Sequence, residues 1–286
     1  MDKLKDLLTQ FGVIYGARLS KKEKEIFIDQ IKDLSVANNY KLELNDYHGS
    51  LHAHINVSKH SKAILLVPYD TPSISYYKDD YYTLNSADYK SFRSKKNIRI
   101  KMFQEIIQTM LIALVAYFSL NSNQIIKIIG LILVVLQIIY LVLSLREKSL
   151  KVNMNFNSSA LALALTMADN PDIGIILIDD FYKNINWTSY LVDKKIDKQA
   201  NSILLESLSG AGELIISKGL KSSQLKFDND LNYIEKNDFY TCLNVGEVYE
   251  GNVRVKINSV FDDSHVSVEK LRDYELVINK MIGAIK

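Results

Sequence analysis

The sequence predicts an α/β fold, a mixed and mostly parallel sheet flanked by helices, interrupted by a two-helix transmembrane hairpin. Three observations predict it. Short apolar runs of strand type alternate with segments of helical periodicity, the pattern of a sheet covered on both faces. A central block, residues 103–145, is apolar over two stretches, each near the ~20 residues that cross a ~30 Å hydrocarbon core. A polar turn, Asn121 to Gln124, separates the two stretches.

The elements follow in order. Met1 to Gly16 mixes acids and bases with its apolar residues, so it lacks the uninterrupted apolar stretch of a signal peptide. Leu4, Leu7, Leu8, Phe11 and Ile14 recur at helical steps and predict an amphipathic helix facing a core. A second helix is predicted from Lys21 to Ala37, with Ser20 as its N-cap. Lys41 to Leu44, Leu51 to Val57 and Ala63 to Val67 read as strands. Residues 75–91, rich in tyrosine and charge, read as a surface excursion. Past the hairpin come an apolar helix (Ser158 to Ala168) and strands at Ile173–Ile178, Ser202–Leu205 and Leu214–Ile216. An amphipathic C-terminal helix closes the chain, with Leu271, Leu276, Ile278, Met281 and Ile282 near one face. Residues 1–72 and 146–286 are therefore two parts of one cytosolic domain. Residues 73–102 are an excursion and basic juxtamembrane segment. Residues 103–145 are the hairpin, with spans at 103–120 and 125–145.

Flanking charge orients the hairpin. Lys90, Arg93, Lys95, Lys96, Arg99 and Lys101 fall in a stretch without an acid, and Arg146, Lys148 and Lys151 follow the second span against Glu147 alone. The turn carries no charge. The positive-inside rule puts both ends of the chain in the cytosol, at the cell membrane. Lys95, Lys96, Arg99, Lys101, Arg146 and Lys148 form the interface with the lipid bilayer and its anionic headgroups. The alternative, two buried helices of a soluble protein, conflicts with spans that have no polar face. Gln104, Glu105 and Gln108 sit at the edge of the first span. Gln137 and Gly130 are candidate helix-packing points.

Net charge is +2, so no overall field draws the chain to nucleic acid. The one cysteine, Cys242, excludes an intramolecular disulfide and a multi-cysteine zinc site. Gly210-Ala211-Gly212 lacks the spacing and lysine of a phosphate loop, and neither HExxH nor GxSxG occurs. His52 and His54 share a strand face, which suits either a metal or a half-exposed imidazole pair. His265, after Asp262, Asp263 and Ser264, suits a loop that caps the C-terminal helix.

Several stretches stand in a telling order: LLVPYDT, NFNSSALALALTMA, IILIDD, SILLESLSGAGELII and FDDSHVSVEKL. In that order the chain resembles the di-zinc aminopeptidase (zinc exopeptidase) family, over most of its length outside residues 73–150. The resemblance implies a zinc-exopeptidase-like sheet and tells where a metal site would be. The family's His-x-Asp becomes Pro68-Tyr69-Asp70, which loses the histidine ligand. Its bridging aspartate falls on or near Asn155, and its Glu-Glu pair near Tyr182 and Lys183, just after Asp179 and Asp180. The next acidic ligand matches Glu206. The last histidine falls at Asn258 or Ser259 unless the register shifts to His265.

Two close cations need about two histidines, three carboxylates and a general base. A vestigial cleft of Asp70, Asn155, Tyr182, Lys183 and Glu206 does not supply them, and a lysine at the base position adds positive charge. The expectation is a peptidase-like domain without catalysis and without a cofactor, a subunit or scaffold of a membrane complex. Its partners would be the bilayer, another membrane protein or transporter subunit of a peptide-export assembly, and peptides. The alternative is a membrane-bound metallopeptidase with a remodelled zinc site drawn from Asp70, Asp179, Asp180, Glu206 and His265.

Overall fold

A computed structural model describes residues 2–71, 81–83, 87–120, 122–145, 152–154, 157–182, 186–196, 201–209, 212–219, 232–235, 239–249, 252–256 and 266–283. The chain divides into two units, Met1–Ser86 with Ser149–Lys286, and Ala87–Lys148.

The first unit is built on a mixed sheet. Strands β1 (Leu42–Tyr47), β2 (Ser50–Ile55), β3 (Ala63–Pro68), β5 (Ile173–Ile178), β6 (Asn201–Leu205), β7 (Glu213–Lys218) and β9 (Thr241–Tyr249) stand in the order β1-β2-β5-β3-β6-β9-β7. The centre, β5-β3-β6-β9, is parallel throughout. β1, β2 and β7 join it through antiparallel ladders. β8 (Asn232–Glu235) extends the β7 edge in parallel. The far half of β9 leaves the main sheet and pairs with β10 (Asn252–Lys256), which pairs with β4 (Tyr81–Thr83). The excursion expected over residues 73–102 is therefore divided: Tyr81–Thr83 belong to a sheet edge, and helix begins at Ala87.

Burial on both faces explains why the central strands read as continuous apolar runs. Every residue of β3, β5 and β6 is buried. Alternate residues serve different cores, as the strand repeat requires. Ala63, Leu65 and Val67 pack with Leu4, Leu7, Phe27, Ile31, α5 (Ser158–Thr166) and α7 (Val268–Gly283). Ile64 and Leu66 pack with Phe181 and with Trp187, Tyr190 and Leu191 of α6 (Asn186–Asp193).

Three local corrections follow. Helix α1 (Lys3–Thr9) passes into a π turn, Gln10–Ile14, closed by the Tyr15 N–H donating to the Gln10 carbonyl at 2.7 Å. The extra residue in that turn rotates Ile14 out of the core face, and it is 65% exposed. On α7 the inward positions are Leu271, Tyr274, Ile278, Met281 and Ile282, while Leu276 faces solvent. The sequence reading places no strand after Ile216, whereas β9 there is part of the parallel core. Helix α2 (Lys21–Ala37) starts as expected: the Ser20 hydroxyl accepts the Glu23 N–H, and the Glu23 carboxylate accepts the Ser20 N–H in a capping box.

The second unit is the helix pair α3 (Ala87–Leu120) and α4 (Gln124–Leu145). Within it, Met102–Leu120 and Gln124–Leu141 are each long and apolar enough to cross a membrane. Its seam uses Ile112, Val115 and Ser119 on one helix, and Gly130, Val134, Gln137 and Leu141 on the other, at three- and four-residue steps. The small residue is required at Gly130. A Cβ there would lie 1.7 Å from Ser119 Oγ and 2.3 Å from Ser119 Cβ. Gly130 thus packs inside the hairpin and not against a partner helix. Gly130→Ala should force the helices apart and lower resistance of the hairpin to SDS unfolding by about 1–3 kcal/mol, the cost of overpacking. Adding Ser119→Gly to that variant should restore it, and a Gly130→Ala protein as resistant as the parent would show that the helices do not pack there.

Candidate functional site

The connections leaving β3 and β5 cover opposite faces, α5 on one and α6 on the other. Adjacent parallel strands whose connections part in this way leave a crevice at their carboxyl ends. Pro68 lies opposite Ile178 in the ladder, so Asp70 and the pair Asp179–Asp180 emerge side by side into that crevice.

Two carboxylates meet one ammonium there, and a third acts on it through its charge. Lys24, on the first turns of α2, forms ion pairs with Asp179 and, at 2.6 Å, with Asp180. Asp179 also accepts the Leu51 and Asp180 N–H groups, and Asp180 accepts the Ser50 hydroxyl at 2.7 Å. Asp180 holds φ at +51°, a left-handed conformation that aspartate tolerates better than most residues. The Asp70 carboxylate accepts the N–H groups of Phe181 and Tyr182, each at 3.2 Å. Burial pushes the Asp70 carboxyl up to about 7, Lys24 and the Tyr182 amide pull it back, and Asp179 and Asp180 add to the rise. Burial alone would depress the Lys24 ammonium, but the charges of Asp70 and Asp179 lift it above its ordinary value.

A second cation braces the crevice from behind. Arg18 is fully buried. Its guanidinium donates to the carbonyls of Phe11, Tyr15 and Tyr69, to Asn157 Oδ1 at 2.6 Å and to the Ser158 hydroxyl at 2.8 Å. Asn157 in turn donates to the Asp70 carbonyl and accepts from Asn153 at 2.7 Å. Asn157 therefore does not cap α5; its amide bridges the ends of Arg18 and β3.

The histidine pair is buried, not half-exposed. His52 stacks on the Tyr190 ring with centroids 3.9 Å apart, and its Nδ1 accepts the Asp179 N–H at 3.2 Å. His54 Nε2 lies 2.6 Å from the Tyr190 hydroxyl. Burial, with His54 adding to it at His52, pushes both imidazoles down to about 4.

The structure thus brings Asp70, Asp179 and Asp180 together and adds Tyr182 through its backbone. Glu206 follows the end of β6, next to β3, and is buried. Its N–H donates to the Leu243 carbonyl, and its own carbonyl accepts Asn244 Nδ2 at 2.9 Å. Asn155, Lys183, Asn258, Ser259, His265, Arg146 and Lys148 lie outside the described residues. Lys95, Lys96, Arg99 and Lys101 all stand on α3, and the Arg99 side chain is exposed. Among the described residues no group of three or more His, Cys, Asp or Glu is arranged to hold a metal. At this edge a cation is supplied by Lys24. Sequence reasoning missed it because Lys24 sits in KKEKE, which reads as a solvated helix face. Arg18 was equally hidden in a loop between two helices, while Asn157 had a signal in the asparagine repeat of NFNSS.

Lys24→Met should leave buried carboxylates without their cation and destabilise the first unit by about 3–5 kcal/mol. Urea unfolding in mild detergent would measure this, and adding Asp179→Asn should recover part of the loss. Acid should act through the histidines. Their contribution is complete above 6.5 and is lost as pH falls through about 4, whereas that of Asp70 is complete below 3.8 and is lost as pH rises through about 7. Two groups oppose one, so stability should fall by roughly 1 kcal/mol per pH unit between these limits on acidification. In a His52→Gln, His54→Gln protein Asp70 acts alone and the sign should reverse, with stability rising by roughly 1 kcal/mol per pH unit on acidification.

No protein-family model matches the chain, and no curated protein does.

Proposed function

We propose that this chain is a membrane-anchored, peptidase-like protein without hydrolytic activity, acting as a subunit or scaffold of a membrane complex. One observation carries the reading: at the acidic crevice where a hydrolase would hold cations, the place of a cation is taken by the Lys24 ammonium, ion-paired with Asp179 and Asp180. Its carboxylates are taken up by that ammonium, by backbone N–H groups and by the Ser50 hydroxyl. A two-metal hydrolase needs such carboxylates for its cations and one more as a base. The mixed sheet with a parallel core supports the reading at the level of fold class.

The membrane part of the reading rests on α3 and α4. Leu111, Leu114, Leu131, Ile132, Leu136 and Ile139 are each about half exposed or more, a surface suited to lipid and not to water. By the positive-inside rule both flanks face the cytosol, so the crevice would meet cytosolic peptides or a partner's cytosolic segment. The second reading, a metallopeptidase with a remodelled site, would draw on Asp70, Asp179, Asp180 and Glu206, which follow the ends of the neighbouring strands β3, β5 and β6.

Purified protein should carry no stoichiometric zinc and release no amino acid from peptide amides. Zinc together with turnover would replace the first reading by the second. Extraction from native membranes in a mild detergent should co-purify a second membrane protein, and a lone monomer would count against the subunit role.

A further inference from the structure

One loop of the first unit fastens the chain both where it leaves for the hairpin and where it returns. Thr71, past the end of β3, exchanges two hydrogen bonds with Arg18. Its N–H donates to the Arg18 carbonyl at 3.1 Å, and its hydroxyl oxygen accepts the Arg18 N–H at 3.0 Å. On the return, the Asn153 N–H donates to the Gly12 carbonyl at 2.9 Å. Met154 packs on Gly12 so closely that a Cβ there would strike its sulfur. Asn153 follows Leu145, the last residue of α4, by eight residues. A chain of that length reaches at most roughly 26–29 Å. Gly12, bonded to Asn153, is held within about that reach of the end of the second span.

The same loop presents apolar side chains to solvent. Val13 and Ile14 are 48% and 65% exposed. The π turn creates this tip. Leu4, Leu7, Leu8 and Phe11 fill the core, and in an α-helix Ile14 would follow them; the extra residue turns it outward. Next to the tip, the Tyr15 hydroxyl donates to Gln30 Oε1 on α2 at 2.9 Å, which steadies the loop against that helix. No acid occurs from Gln10 to Leu19. Aliphatic residues beside a tyrosine and without carboxylates suit the membrane–water boundary. Isolated exposed apolar residues are ordinary, whereas two adjacent ones on a turn fastened to a membrane anchor call for a partner.

We propose that Val13 and Ile14 are a membrane-docking tip that enters the headgroup region of the bilayer spanned by the hairpin. The proposal rests on the hairpin being a membrane anchor. The anchor supplies what so small a tip lacks alone. A surface tethered within about 30 Å meets the bilayer at high effective concentration, so a few aliphatic side chains suffice. Docking by apolar burial needs no anionic lipid and survives salt, unlike a contact made by lysines.

The test uses the full chain reconstituted in phosphatidylcholine vesicles. A polarity-sensitive fluorophore is attached at Ile14→Cys, and phosphatidylcholine spin-labelled near its headgroup serves as quencher. Native Cys242 is buried, and labelled parent protein gives its background. Val36→Cys, exposed near the other end of α2, is the reference. The Ile14 label should emit to the blue of the Val36 label and lose emission to the quencher. It should do so equally in about 1 M salt, where the screening length is roughly 3 Å. Val13→Cys should behave as Ile14→Cys does. Equal behaviour of the Ile14 and Val36 labels, whether wet or quenched, would overturn the proposal. A shielded but unquenched Ile14 label would also overturn it, since protein from this chain or a second copy would then cover the tip. Loss of quenching in salt would overturn it too. Ile132→Cys on α4 should be quenched by phosphatidylcholine spin-labelled deep in its acyl chains, and failure there would instead remove the membrane reading beneath the proposal.

Discussion

An ammonium buried away from water is costly unless carboxylates meet it, and carboxylates crowded at one sheet edge repel one another unless a cation lies among them. Lys24 and the acids of the β3–β5 crevice satisfy both demands at once. The ion pairs tie α2 to the end of β5, while Asp179 and Asp180 hold the start of β2 through Leu51 and Ser50. Asp70 joins the same cluster by gathering the Phe181 and Tyr182 amides. The crevice is thereby a structural joint as much as a candidate site, and a change of its charge acts on the fold as well as on any ligand.

The same contacts explain how one domain can be interrupted by a hairpin. The insertion lies in the crossover from β3 to β5, and every tie across it links the two parts of the chain directly. β3 lies between β5 and β6, Arg18 reaches Asn157 and Ser158, and Lys24 reaches Asp179 and Asp180. Closing a long connection costs only slowly more as it lengthens. A crossover anchored at both ends by parallel ladders and buried polar bonds therefore accepts a long excursion.

Much of the frame was legible because its cause is local. Runs such as AILLV and IGIILI are apolar at every position since both faces are covered, and the capping box at Ser20 lies within four residues of sequence. β9 was not legible: Asn244 and Gly246 break its apolar run, and the buried asparagine is accommodated because its amide donates to the Glu206 carbonyl and its Oδ1 accepts from Cys242 Sγ. Ile14 was misplaced because a π turn shifts the helical count by one. Of the site, Asp70, Asp180 and Glu206 could be picked out by the order of strands they follow. Arg18 and Lys24 could not, since nothing in a short stretch separates a solvated cation from one that will be buried.

By itself the sequence determined the alternation of strands and helices, the two long apolar helices and the charge on their flanks, because periodicity, length and charge act over neighbouring residues. Only the tertiary structure decided which side chains meet at the crevice. Lys24 and Asp179 are far apart along the chain, and their pairing depends on where α2 crosses the sheet. The same holds for Gly130, whose need to be small exists only once Ser119 of the facing helix is against it. Desolvation and close packing are properties of assembled surfaces, and no single stretch of sequence carries them.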